Sequence, residues 1–448
     1  METEHRFEEI PFLTPLKFGT GTIETITCLN VRVRVENRRG KWADGIGQVL
    51  LSVIWAFPSQ AISLEKRDHV LCQLGEEYGQ HLSRVLQDEY IHPLYTYHTQ
   101  QELLYELEAK ITAVHSLPEP VPHLAGLMCS SPWDAAIHDA FGKVNEVSTW
   151  AAYGPEFTSM DLSGVLGDDF SGQWLSNYLR YPLAKSLPVF HLVGGADHLT
   201  AHEEGVSRLR ESSGIPGTLQ EWIRQDGVYC LKVKLTGTDL DWDVERTADV
   251  GKVAKETLDE LGRKDYFLSV DSNEMHESPD VVVEYLLRLK EKAPGAYTRL
   301  LYVEQPTARD LTAQRFDMRE VAKLKPVVVD ESVTSLEQLD LARELGWSGI
   351  ALKTCKGQTA SLLYIAKAAA AGFNYTVQDL TNPGYALIHS AMLAAHSQPL
   401  MGFEYNSRQY LPDYACGLDV EFPELFKVKD GRIAVPKRDG LTGLGYSG

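Results

Sequence analysis

The chain has 448 residues, 44% of them hydrophobic and 23% charged, a composition that excludes a low-complexity or collagen-like chain. That length exceeds what one hydrophobic core fills, so two domains, or one large barrel with an accessory domain, are expected. Acidic residues number 62 against 43 basic ones, a formal net charge of −19; such a surface lacks the basic footprint that nucleic acid and anionic membrane require.

The same charge repels anionic substrates at long range, so a site for an anion must carry local positive charge or a metal. No run of about 18 apolar residues is available to span a bilayer. The opening Met1-Glu-Thr-Glu-His-Arg-Phe7 is too acidic and polar for a secretory signal. Six cysteines (Cys28, Cys72, Cys129, Cys230, Cys355 and Cys416) are scattered without a C-x-x-C pair. That argues against a zinc cluster or a disulfide framework and fits a reducing cytoplasm. A cytoplasmic protein is expected, with no nucleic-acid or membrane partner.

Residues 1–150 read as an α+β domain. Thr25–Glu36 alternates as a half-buried strand does, Asn37–Gly40 makes a turn, and Ala43–Gln48 reads as a loop punctuated by glycine. Helical patterns follow at Leu64–Leu86 and Gln100–His115. A third starts near Ser130, with Ser131 as cap and Pro132 in the first turn. Residues 151–186 show no firm period and read as an irregular insertion.

From residue 187 to about 410 short apolar strands alternate with amphipathic helices. The strands are 187–193, 228–235, 265–273, 299–306, 325–332, 349–355, 375–380 and 400–406. Near-continuous apolar strands suit a parallel sheet covered on both faces, and eight such units point to a (β/α)-barrel, a modified TIM barrel. The alternative, an open doubly wound sheet, calls for a G-x-G-x-x-G fingerprint after an early strand, and none follows an early strand here. In the tail, 411–448, Phe426–Val435 reads as a hairpin about Asp430-Gly431, returning to the amino-terminal domain.

Polar residues recur at the carboxyl ends of these strands, where barrels of this kind carry their active sites. The second strand ends in Lys232-Val-Lys234, whose lysines two apart share a side. The third ends in Asp271-Ser-Asn273, the fourth in Glu304-Gln-Pro306 and the fifth in Asp330-Glu-Ser332, and the sixth carries Lys353. Asp271, Glu304 and Asp330 from adjacent strands are expected to converge. Such a cluster of anions is costly without a cation, and all-oxygen ligands favour Mg²⁺, then Mn²⁺. A substrate carboxylate on that cation would let the metal stabilise the enolate formed when the α-proton leaves.

A lysine beside a second ammonium group and a metal cation loses its proton more readily than a free one. Lys234 and Lys353, four strands apart, then address opposite faces of the carbon acid. Asn273 and Glu331 are expected to support the lysines. Gln378, Asp379 and Glu404, at later strand ends, are candidates to line the pocket. Lys356 reads as a solvated loop charge, and His389 and His396 as packing or surface residues. A Schiff-base aldolase or lyase using one lysine and no metal, and a catalytically inert metal-binding barrel, are the competing readings.

Lys232-Val-Lys234, Asp271-x-Asn273, Glu304-Gln-Pro306, Asp330-Glu-Ser332 and Ala351-Leu-Lys353, taken in order, resemble the enolase superfamily on its muconate-lactonising-enzyme-like side. The resemblance implies an α+β amino-terminal capping domain, completed by the carboxyl-terminal tail, over the barrel. It implies Mg²⁺ on Asp271, Glu304 and Asp330, with Lys234 and Lys353 as acid/base groups and Lys232 assisting by contacting the substrate carboxylate or tuning Lys234. The activities implied are those of an isomerase or lyase on a small carboxylic acid: racemisation or epimerisation, cycloisomerisation, or acid-sugar dehydration. It also implies a homo-oligomer, and a capping loop over the site, for which Leu16–Gly21 with Phe18 is the first candidate and Trp42–Gly47 the second. The mandelate-racemase-like side uses a seventh-strand histidine where this chain has Gln378-Asp379. Dipeptide epimerases carry Asp-x-Asp after the eighth strand, where this chain reads Glu404-Tyr-Asn-Ser-Arg408; Arg408 is a candidate to hold a second anionic group.

Overall fold

The computed structural model describes residues 1–18, 21–87, 89–201, 214–436 and 440–446, including the backbone but not the side chain of Phe18. The amino-terminal region is an antiparallel sheet in the order β1 (Glu2–Phe18), β2 (Gly21–Glu36), β3 (Trp42–Leu50). Strand β1 has no clear signature in the sequence because its outer side chains are charged. They join a cross-strand ladder in which Arg32 pairs with Glu4 at 2.5 Å, and Arg34 with Asp44 at 2.7 Å, an arrangement suited to a solvated sheet face. The inner face, with Leu29, Val31, Val33 and Val49, packs on the helices Leu64–Val85, Tyr97–Val114 and His123–Val144.

Two local expectations are corrected here. Ala43–Gln48 is strand, not loop. Its glycines serve close packing: a Cβ on Gly45 would lie 1.9 Å from the Ala136 carbonyl oxygen, and one on Gly47 1.8 Å from that of Pro132. The third helix begins at His123, not Ser130, and carries Pro132 inside it. Proline removes the amide that would reach the Met128 carbonyl, and the Ser131 hydroxyl donates to that oxygen instead at 2.9 Å.

Residues 151–186 contain short helical turns and bury Tyr153, Leu162, Phe170, Leu175 and Leu179 in the core shared with the barrel helices. Eight parallel strands then close on themselves: β4 (Ser186–Val193), β5 (Cys230–Lys234), β6 (Phe267–Asp271), β7 (Leu300–Glu304), β8 (Val327–Val329), β9 (Gly349–Lys353), β10 (Asn374–Gln378) and β11 (Phe403–Glu404), with β11 pairing back to β4. All eight strands read from the sequence are present, in order.

The expected hairpin about Asp430-Gly431 is present in its shortest form, Lys429 and Arg432 pairing antiparallel across the turn, and its first arm leaves the end of the helical turn Pro423–Phe426. Its second arm, β12 (Arg432–Ala434), pairs antiparallel with β4 of the barrel, after a turn in which Asp430 and Gly431 both have positive φ. The return to the capping domain comes later, where the Leu444 amide donates to Asp139 at 2.9 Å. No helix among the described residues is long and apolar enough to cross a membrane.

The barrel interior is layered by the two-residue period of its strands. Phe190, Cys230, Tyr302, Val328 and Ala351 form an apolar floor. Two residues further along the same strands lie Leu192, Lys232, Glu304, Asp330 and Lys353. The pleat that buries the floor therefore aims this charged layer into the mouth.

Candidate active site

Lys232 and Lys234 share one side of β5, as the spacing predicts, and both reach Asp271 Oδ2, at 3.1 and 2.5 Å. Lys232 is enclosed: its Nζ donates to Glu304 Oε1 and to Gln378 Oε1, each at 2.9 Å, and lies 3.5 Å from Glu404. Lys234 stands nearer the mouth and donates to Asn273 Oδ1 at 2.8 Å. Asn273 in turn donates to Glu331 Oε1 at 3.2 Å, so Glu331 steadies Lys234 through one intermediary. On the opposite wall Lys353 Nζ lies 2.7 Å from Asp330 Oδ2. Asn273, Glu274 and Gln305 all have positive φ, so unusual backbone gathers at the ends of β6 and β7, as it does at functional sites.

Burial raises the Glu304 carboxyl despite Lys232, and the neighbouring Asp271 and Asp330 add to the rise. Burial also raises Glu331, helped by Asp330 and Glu274. Burial acts the same way on Asp271, but the Lys234 and Lys232 ammonium groups outweigh it and hold that carboxyl below its ordinary range. Lys353 is desolvated, yet Asp330 keeps it above the usual lysine value.

The donor set suits a hard divalent cation on two observations. The fully buried Asp330 carboxylate is met, among the described residues, by ammonium groups alone, Lys353 at 2.7 Å and Lys356 at 3.2 Å. Among the described residues six carboxyls, Asp271, Glu304, Asp330, Glu331, Asp379 and Glu404, also gather with four lysines, Lys232, Lys234, Lys353 and Lys356, while Arg309 beside them is paired with Glu274, an anionic excess that one such cation balances. Among the described residues no three carboxylate, imidazole or thiolate side chains are already gathered at ligand spacing: Lys232 lies between Asp271 and Glu304, and Lys353 lies on Asp330.

Four expected placements are corrected. Gln378 does not line an open pocket: level with Lys353 on the neighbouring strand, it is enclosed in the charged layer, accepting from Lys232 and donating to Glu304 Oε2 at 2.7 Å. Lys356 is not a solvated loop charge; it is buried, donates to the Asp330 carbonyl and lies 3.2 Å from Asp330 Oδ1. Arg408 pairs with Asp226, meets His191 at 2.7 Å and covers the Trp222 ring. Its partners lie on the helix side of β4, so its charge is answered outside the mouth. Trp42–Gly47 belongs to β3 and forms no cover.

Of the first expected cover, Gly19, Thr20 and the Phe18 side chain lie outside the described residues. Asp379 accepts from the Thr381 amide and from Asn406, and Glu404 from Asn406 Nδ2 at 2.9 Å. His389 and His396 are buried packing residues, the first hydrogen-bonded to Gln358 and the second stacked on Trp150.

Sequence reasoning missed Trp55 and Gln305. Trp55, from the turn after β3, donates Nε1–H to Glu331 Oε1 at 3.0 Å and lays its ring against Lys353. Gln305 Oε1 accepts from the Asp330 amide at 2.8 Å and Nε2 donates to Ser332, which shapes the end of β8. The Glu-Gln-Pro triplet marked Gln305; nothing local marks the strand that Trp55 meets.

Comparison with known proteins agrees with this architecture. Residues 217–446 match the family described as enolase C-terminal domain-like. No curated protein matches the chain. Among solved structures, the L-Ala-D/L-Glu epimerase from Bacillus subtilis superposes with a TM-score of 0.61 at 16% identity, over 99% of this chain and 98% of that one. The muconate lactonizing enzyme from Pseudomonas fluorescens, complexed with muconolactone, gives 0.60 at 17%, over 100% and 95%. The dipeptide epimerase from Enterococcus faecalis V583, complexed with Mg and L-Leu-L-Tyr, gives 0.59 at 16%, over 99% and 98%. At these identities the likeness speaks for the fold, and the family match covers more than half of the sequence: the chain belongs to the enolase superfamily, in the mandelate racemase/muconate lactonizing enzyme family.

Proposed function

We propose that this protein removes the proton α to the carboxylate of a small organic acid, working with Mg²⁺, or Mn²⁺ in its place, on Asp271, Glu304 and Asp330. The cation, when bound, supplies Lewis-acid stabilisation of the negative charge that gathers on the substrate carboxylate. Lys234, part-exposed and steadied by Asp271 and Asn273, takes the proton. Lys353 contributes positive charge from the opposite wall. Lys232 acts through the carboxylates it joins, since its ammonium is enclosed by Glu304, Gln378 and Asp271. The outcomes open to this step are racemisation or epimerisation, cycloisomerisation and dehydration, and the resemblance to epimerases and lactonizing enzymes agrees with that class.

The observation that carries the reading is the convergence of these lysines and carboxylates at the ends of consecutive strands, with the buried Asp330 carboxylate answered by ammonium groups. Calorimetry of metal-stripped protein with Mg²⁺, beside an Asp271→Ala variant, tests the metal; saturable heat that disappears in the variant is expected. Solvent-deuterium exchange into a set of small carboxylates tests the proton step. A chain that binds Mg²⁺ and exchanges none of them refutes it.

A further inference from the structure

The two lysines that face each other across the mouth are not equally reachable. The Lys234 side chain keeps 13% of its surface exposed, that of Lys353 only 6%. The Lys353 ammonium lies 4.7 Å from the centroid of the Trp55 ring, within cation–π range, while Asp330 holds it from another side. Trp55 is itself buried and fixed at both ends. Its Nε1 donates to Glu331 at 3.0 Å, and its carbonyl accepts from Arg309 Nη1 at 3.1 Å. Arg309 is locked in turn by its ion pair with Glu274. Lys234 is held by Asp271 and Asn273 and, among the described residues, keeps part of its surface uncovered.

We propose that the Trp55 indole shields Lys353 from bound substrate, so that the α-carbon exchanges its proton with Lys234, on one face only. This rests on the proton-abstraction reading and narrows it. Lys234 Nζ takes the proton as the C–H bond breaks, and the electron pair passes into the substrate carboxylate. The same ammonium then returns a proton to the face it left, or the pair expels a leaving group β to the carboxylate. A transfer that inverts the α-carbon needs a second group on the other face, and there the indole intervenes. The chain is thereby assigned to eliminations or cycloisomerisations rather than racemisation.

Reductive methylation of the full chain in Mg²⁺ with formaldehyde and a borane, read by peptide mass spectrometry, tests the shield directly. Lys234 is expected to react roughly tenfold faster than Lys353. Trp55→Ala narrows the difference, the Asp330 ion pair alone still slowing Lys353, while Trp55→Phe, which keeps a ring and loses the hydrogen bond to Glu331, preserves it in full. In D₂O, with resolved enantiomers of 2-hydroxy and 2-acylamino carboxylates, the wild type exchanges one enantiomer with retention and Trp55→Ala exchanges both. A purely structural role for Trp55 lowers both rates together and leaves the facial preference intact.

Equal labelling of the two lysines in the wild type, which needs no variant to fold, overturns the proposal, as does inversion of the α-carbon by the wild type. Protected Lys353 with no exchange from any carboxylate refutes the proton-abstraction reading and, with it, the assignment to one face, while the indole's cover of Lys353 stands.

Discussion

Replacing Lys232 by methionine keeps the length of the side chain and deletes its charge from the middle of the site. The ammonium lies within 3.5 Å of Asp271, Glu304 and Glu404 and is 2% exposed. Removing one partner of a buried ion pair costs about 3–5 kcal/mol, because the charge left behind has no water to turn to. Unfolding entropy of roughly 2 cal/mol/K per residue gives a chain of this length about 1 °C of Tm per kcal/mol, so a fall of about 3–5 °C is expected. The assay is thermal unfolding of Lys232→Met and wild type in EDTA, then in Mg²⁺. A cation on the same carboxylates replaces the lost charge, and a ligand that favours the folded state raises Tm by mass action. Mg²⁺ is therefore expected to raise the variant's Tm more than that of the wild type. A variant unfolding within about 1 °C of wild type in EDTA would show that Lys232 does not hold the carboxylates together.

Gly47→Ala sets a Cβ 1.8 Å from the Pro132 carbonyl oxygen, and the strand must move off its helix; denaturant unfolding should register a loss of about 2 kcal/mol or more. Ser131→Ala strips the Met128 carbonyl of its only substitute for the missing proline amide, a cost of about 1–3 kcal/mol by the same measurement; an unchanged midpoint would mean another donor serves it. Asp379 is lifted to about 7, by burial first and then by Glu404. Its folded value exceeds its unfolded one, so its contribution is fully present below about pH 4 and is lost as pH rises through about 7. Unfolding free energies across that window should fall less steeply with pH in Asp379→Asn than in wild type, and parallel slopes would contradict the assignment.

The barrel and the charged layer of its mouth were legible because both obey the shortest rule a strand has. A period of two puts Lys232 and Lys234 on one side, and it carries Glu304, Asp330 and Lys353 into the same layer above an apolar floor. What the sequence concealed depends on partners distant along the chain. Gly45 and Gly47 look like turn residues until the helix His123–Val144 is laid against them. The charges of β1 look like a solvated arm until Arg32 and Arg34 are set opposite. Arg408 and Gln378 depart from expectation for a related reason: a strand end suggests a side chain open to the mouth, but Gln378 is enclosed between Lys232 and Glu304 and Arg408 has turned outward to Asp226. Trp55 had no local marker, because its meaning lies wholly in the residue beneath it.

The capping domain does more than roof the barrel, because two separate clasps join it beside the strand that carries Lys353. One is Trp55, fastened to Glu331 and Arg309. The other lies at the helix that follows β9. Asp134 of the capping helix accepts from the Thr359 amide at 2.7 Å and its hydroxyl at 2.8 Å. His138 meets Thr359 and the Tyr153 hydroxyl, each at 2.8 Å, and Gln358 donates to Tyr153 at 3.1 Å while pairing with His389. All of these groups are buried, so each lost partner leaves an unsatisfied polar atom at about 1–3 kcal/mol. Tyr153 belongs to the stretch 151–186, which showed no pattern in the sequence because its order comes from these contacts and not from a helical or strand period. The turn holding Lys353 and Lys356 is thus bounded by the cap on one side and by this stretch on the other. The position of Lys353 against Asp330 is consequently a property of the whole chain, and a barrel excised from it would keep the strand while losing what fixes the lysine at its end.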